Sequence, residues 1–140
     1  MRIFIARICA PHSNRTPKSH MSSADSELTG LNLKQLELAV RIAALPAAEQ
    51  IARLKGWAVA DEIALDFDNW CRWALEGAGA PELTNEQRAS LIALDHRFDQ
   101  MSGEHNAELW TDHALRSRPE WAEVRRDAQT ILRQMGWTDD

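Results

Sequence analysis

The chain has 140 residues and a mass of 15.8 kDa, enough for one hydrophobic core and below the size at which two become the expectation. At 44% hydrophobic and 26% charged residues, it excludes wholly disordered, collagen-like and disulfide-dense classes. Its net charge of −5 hides an asymmetry: residues 1–20 carry Arg2, Arg7, Arg15 and Lys18 and no acid, so the other 120 residues hold 12 basic against 21 acidic side chains, a net of −9. An acidic body repels phosphate backbones, which argues against nucleic acid as a partner. A basic protein is the better electrostatic complement, and the competing reading is a solvated acidic face kept for solubility.

Residues 3–10, IFIARICA, are apolar, but Arg7 interrupts them and no A-x-A-like cleavage site follows, so they do not make a secretory signal. The absence of acids before Asp25, with Ser, Thr and Arg present, also fits a transit-peptide composition. The preferred reading takes residues 1–24 as a disordered basic extension, with Met21 as the working start, and residues 25–140 as a single helical domain. The intact mass of the natively expressed protein tests that start. No run of about 18 apolar residues occurs, so no membrane span is expected. Cys9 and Cys71 suggest no disulfide framework, and Cys71 reads as a reduced core residue of a cytoplasmic protein.

From Gly30 onward helical periodicity dominates and hairpin signals are absent, which predicts an all-α fold, a compact bundle or array of about five to six helices. The first helix is expected over about 31–45, capped by Thr29 or Asn32 and stopped by Pro46. Its two apolar stripes, Leu33, Leu36, Val40 and Ala43 on one side and Leu31, Leu38, Ile42 and Leu45 on the other, imply burial on both faces. A short helix over about 47–55 follows, opened by Pro46 and carrying Ala47, Ile51 and Leu54. After Gly56 the apolar phase jumps, and a helix over about 57–76 carries Ile63, Phe67, Trp70 and Ala74 before the loop at 77–81.

Thr84 with Gln87 matches a capping box, opening a helix with Leu91, Leu94, Phe98 and Met101 on one stripe and Gly103 beyond its end. Residues 106–115 predict a short helix with Leu109 and Trp110. Ser117 with Glu120 repeats the capping box, Pro119 fits a first turn, and Trp121, Val124, Ala128, Ile131, Leu132 and Met135 form the clearest stripe. Gly136 ends that helix, and Trp137 stands where a Schellman motif returns an apolar contact.

Six tryptophans and no tyrosine make most indoles core candidates, among them Trp57, Trp70, Trp121 and Trp137. Trp73 differs, because it projects about 60° from Trp70, among Glu62, Asp66 and Asn69. An aromatic rimmed by carboxylates and an amide has the composition of an interface anchor, and Leu65 extends the patch. The expected partner-binding face is Asp61, Glu62, Leu65, Asp66, Asp68, Asn69 and Trp73, the acids steering a basic partner and Trp73 anchoring it. The competing reading has the first helix or the 77–83 loop covering Trp73.

Carboxylates at helical spacing, Glu62 with Asp66, Asp95 with Asp99, and Glu120 with Glu123 and Asp127, could also hold a divalent cation as all-α nucleotide pyrophosphatases do. Glu123 and Asp127 are also placed to pair with Arg126 and its neighbours on a solvated helix face, the commoner role of such spacing. The five histidines form no H-E-x-x-H pair, and no nucleophile elbow, P-loop or dinucleotide fingerprint is present. Neither a metal nor another cofactor is therefore expected, and no catalytic residue is assigned.

The segments ADEIALDFDNW (60–70), LTNEQ (83–87), LDHRFDQMSG (94–103), NAELWTDHAL (106–115) and PEWAEVRRDAQTILRQMGW (119–137) resemble small helical immunity-like proteins of bacterial toxin systems. That resemblance covers about the last 80 residues. It implies a cytoplasmic protein that neutralises a cognate toxin, such as a basic nuclease, by occluding its active site without catalysis of its own. It assigns no contact residue, because such surfaces diverge with their partners. The alternatives are a magnesium-dependent nucleotide pyrophosphohydrolase-like enzyme and a helical scaffold.

Overall fold

A computed structural model describes residues 23–138, and the expectations for residues 1–22, Cys9, His12 and His20 lie outside them. Six α-helices and one 3-10 segment make up the described residues, without a strand: α1 (Ser23–Ala44), α2 (Ala47–Arg53), α3 (Val59–Glu76), α4 (Asn85–Met101), the 3-10 segment (Glu104–Leu109), α5 (Asp112–Ser117) and α6 (Pro119–Met135). The all-α expectation holds. No described helix is long and apolar enough to cross a membrane.

α1 begins eight residues before the expected start, running through Gly30, so neither Thr29 nor Asn32 caps it. One glycine costs a helix only about 1 kcal/mol, less than the packed turns that follow Gly30 return. Ser23 and Ala24, expected in the extension, belong to its first turn. α1 packs on α3 and α6, while α4 packs on α6 and α3. Of the two α1 stripes, one is fully buried at Leu36, Val40 and Ala43 and half-buried at Leu33. The second corrects the sequence reading: Leu31 is 61% and Leu38 46% exposed, and Ile42 and Leu45 are half-buried, because helices cover one side of α1 and not the other.

At the α1–α2 junction Pro46 is the cap before α2, and the wholly buried Gln50 reaches back to close α1. Its Nε2 donates to the carbonyls of Ile42 and Ala43 at 3.0 and 3.2 Å, serving groups that a helix end otherwise leaves without a partner. Gly56 takes φ +93°, a conformation that favours glycine, and marks the phase break. α3 starts at Val59, so Trp57 stands in the turn ahead of it and does not share its stripe. Trp57 is 67% exposed, a correction to its assignment as core.

The core is aromatic where α4 and α6 meet. Trp121 lies edge-on to Trp110 and Phe98, with centroids 5.4 and 5.9 Å away, and Phe98 meets Phe67 at 5.9 Å. Both buried indoles place their N–H groups on main-chain carbonyls, Trp121 on Leu109 at 2.7 Å and Trp110 on Met101 at 2.9 Å. Cys71 is buried, as expected of a small core residue, and its thiol donates to the Leu91 carbonyl at 3.9 Å.

The Thr84 capping box forms in both directions, at 3.0 Å from Gln87 N–H to the hydroxyl and 2.9 Å from Thr84 N–H to the Gln87 amide oxygen. At α6 the structure differs from the expectation. Arg118 occupies the cap position and Ser117 closes α5 by donating to His113, because Pro119 at N1 shifts the start by one residue. The segment expected as one helix over 106–115 divides at Trp110, whose burial bends the chain before Thr111 caps α5. Gly136, at φ 72° and ψ 27°, ends α6 in the expected Schellman motif, its N–H on Arg133 and that of Trp137 on Leu132.

Candidate functional site

α3 carries every residue of the expected partner-binding face, and its amphipathicity sorts them. The buried stripe of Ile63, Ala64, Phe67, Cys71 and Ala74 fixes the rotation of the helix against α1 and α4. Asp61 and Asp68 lie on its margins at 0% and 9% exposure, so neither belongs to an outer acidic face, a correction to the sequence reading. Asp68 is instead engaged by Arg72 one turn on, at 3.3 Å. Leu65 is half-buried and packs against the core.

Glu62, Asp66, Asn69 and Trp73, at i, i+4, i+7 and i+11, form one strip along the other side. Asp66 and Asn69 are exposed; Glu62 and Trp73 are half-buried. Glu62 stands in the first turn, where the helix N-terminus favours negative charge. Asp66 has its carboxyl pushed above the usual range by partial desolvation and then by the neighbouring Glu62. The strip therefore concentrates like charge, which a cation can relieve.

Trp73 is held from within the chain. Its indole N–H donates to the Ala78 carbonyl at 3.1 Å, and its ring meets Trp70 edge-on at 6.4 Å. Gly77 makes this possible, since a Cβ there would lie 2.8 Å from the indole Cδ1. Thr29 of α1 donates to Gly79 at 2.7 Å, fixing the far side of the same loop. The loop thus covers part of Trp73, which stays half-buried one turn beyond Asn69 on the strip.

The α6 carboxylates are drawn into ion pairs. Arg97 of α4 reaches Glu123 at 3.9 Å and Asp127 of α6, Arg126 holds Glu123 at 2.6 Å, and Arg118 holds Glu120 at 3.3 Å. Asp95 is buried and Asp99 half-exposed. Among the described residues no three His, Cys, Asp or Glu side chains gather as a metal site.

Sequence reasoning missed Gln50, although its position three residues after Ala47 and four before Leu54 places it on the α2 apolar stripe. It also missed a surface hollow of about 510 Å³ beside α1, whose walls come from α1, α2 and α6 and are far apart in the chain. Compared with protein-family models, curated proteins and solved structures, the chain has no match in any of the three.

Proposed function

We propose that the chain is a non-catalytic protein-binding module of the immunity type, acting in the cytoplasm and neutralising a cognate bacterial toxin by covering its active site. The observation that carries this reading is the α3 strip. Two carboxylates one turn apart, one with its pKa raised by partial desolvation and then by the other, share one side of α3 with an exposed amide and a half-buried indole. Carboxylates crowded in this way favour a cationic surface over a neutral one, and the indole supplies apolar area. The net charge of −9 over residues 21–140 speeds encounter with a basic protein such as a nuclease.

The test captures partners from the source cell on the immobilised full chain at two salt concentrations, beside a Glu62→Lys/Asp66→Lys chain and a Trp73→Ala chain. Retention of one basic protein by the wild type, lost on charge reversal and weakened about thirtyfold or more by Trp73→Ala, is expected, since a hot-spot aromatic contributes about 2 kcal/mol or more. The purified partner should lose its enzymatic activity at equimolar chain. Equal retention by all three chains refutes the α3 surface. A retained partner whose activity persists refutes the neutralising role.

A further inference from the structure

The second α1 stripe, which the fold leaves partly exposed, forms one wall of a hollow between α1 and α6. Leu38 and Ile42 stand one turn apart on α1 with Leu45 just beyond its end, Leu132 faces them from α6, and Arg41 and Arg53 stand at the rim. Ala44 and Gln129 join this hollow to a second of about 370 Å³, where Arg125 and Arg126 are added. No carboxylate lines either hollow among the described residues, in a body whose net charge is −9. Four guanidinium groups therefore border a largely apolar floor.

Arg53 and Arg125 make no ion pair among the described residues. Arg125 donates to the Leu115 carbonyl at 3.2 Å, and partial burial pushes its pKa down, the mark of a cation that gains from a carboxylate. Arg126 is two-thirds exposed although it holds Glu123. Arg41 is engaged by Glu37 and by the Trp137 carbonyl, which orients it at the rim.

We propose that this groove binds an amphipathic helix of a partner protein, with aliphatic residues at i, i+3 or i+4, and i+7 on its apolar side and carboxylates flanking them. The floor sets the shape: an aliphatic row along a helix accepts the matching row of another helix, the usual helix-in-groove arrangement. From Ala122 to Leu132 the α6 wall spans about 15 Å, room for roughly three turns of ligand. The rim sets the charge, because guanidinium groups pair bidentately with the carboxylates that an acidic helix presents beside its apolar row. This surface shares no residue with the α3 strip and stands apart from the function proposed for it.

A displayed library of 14-residue helical peptides tests the groove, with leucine fixed at i, i+4 and i+7 and Glu, Gln or Lys allowed at the flanking positions. It is panned in parallel on the full wild-type chain and on Arg53→Glu/Arg126→Glu, both of whose arginines are exposed, so that the variant retains the fold; circular dichroism checks this. Glutamate-rich sequences should be enriched on the wild type and lysine-rich ones on the variant. The best acidic peptide should lose about tenfold or more in affinity on the variant. Its footprint in amide chemical-shift changes should fall on residues 38–53 and 122–132. No enrichment, the same winners on both chains, or a footprint elsewhere overturns the proposal. So does a concentration-dependent dimer in sedimentation that Leu38→Glu dissociates, which would assign the groove to a second copy of the chain.

Discussion

Trp121→Phe reads how much of the core rests on one indole. The substitution removes the N–H that donates to the Leu109 carbonyl at 2.7 Å, leaving a buried acceptor without that partner at a cost of about 1–3 kcal/mol. It also withdraws part of a fully buried ring from Trp110 and Phe98, adding about 1–2 kcal/mol in lost contact and residual cavity. Together these predict about 2–5 kcal/mol, a large share of the roughly 5–15 kcal/mol that holds a domain together, and about 10 °C in Tm. Trp57→Ala is the control: at 67% exposure it should change stability by no more than about 0.5 kcal/mol. Urea unfolding followed by far-ultraviolet circular dichroism measures both without depending on tryptophan emission. A Trp121→Phe cost below about 1 kcal/mol, or a Trp57→Ala cost equal to it, would refute this division of the indoles between core and surface.

Thr84→Ala removes the hydroxyl that accepts from Gln87 N–H in the α4 capping box, leaves the return bond from the residue 84 N–H to Gln87 in place, and should cost about 1 kcal/mol in the same assay, whereas Ser117→Ala, a residue that caps no helix start, should cost less than half of that. Gly136→Ala forces a side chain into φ 72° and should cost about 1 kcal/mol, with faster amide exchange at Trp137 reporting the frayed motif. For Asp66 the sign follows from its raised folded-state pKa. The folded chain binds the proton more tightly than the unfolded one, so this group favours folding fully below the unfolded value near 3.8, and the benefit is lost as pH rises through the folded pKa. Carboxyl-carbon NMR should show Asp66 titrating above an unstructured aspartate and moving downward in Glu62→Gln; an unmoved midpoint in that variant refutes the coupling.

Elements whose ends are marked by local chemistry were legible in the sequence. Thr84, Gln87, Pro119 and Gly136 act through neighbours three to five residues away, and the stripes of α4 and α6 bury as their spacing implies. What was not legible depends on which side of a helix receives a neighbour. Periodicity assigns Leu31 and Leu38 to one line and Leu36 and Val40 to another, but only packing with α3 and α6 decides that the second is buried and the first is not. Asp61 and Asp68 show the same limit from the polar side. Their charge suggests solvent, and the rotation of α3 places them inside. Glu62, Asp66 and Asn69 could be placed because they fall squarely opposite a strong apolar stripe, where rotational error matters least.

The same sorting separates structural polar groups from those left for binding. Arg97, Asp127 and Glu123 join α4 to α6, Gln50 closes α1, and the indoles of Trp110 and Trp121 serve carbonyls in the core. Groups committed in this way gain nothing from a partner, because a new contact must first replace an existing hydrogen bond. Asp66 with its raised pKa and Arg125 with its lowered one have the opposite balance, since each is partly stripped of water and each is brought back toward its ordinary range by an opposite charge. Those two residues lie in differently signed surroundings, carboxylates on α3 and guanidinium groups beside α6. A basic protein on one and an acidic helix on the other therefore answer to opposite charge reversals. Glu62→Lys/Asp66→Lys and Arg53→Glu/Arg126→Glu can each abolish one interaction and leave the other intact.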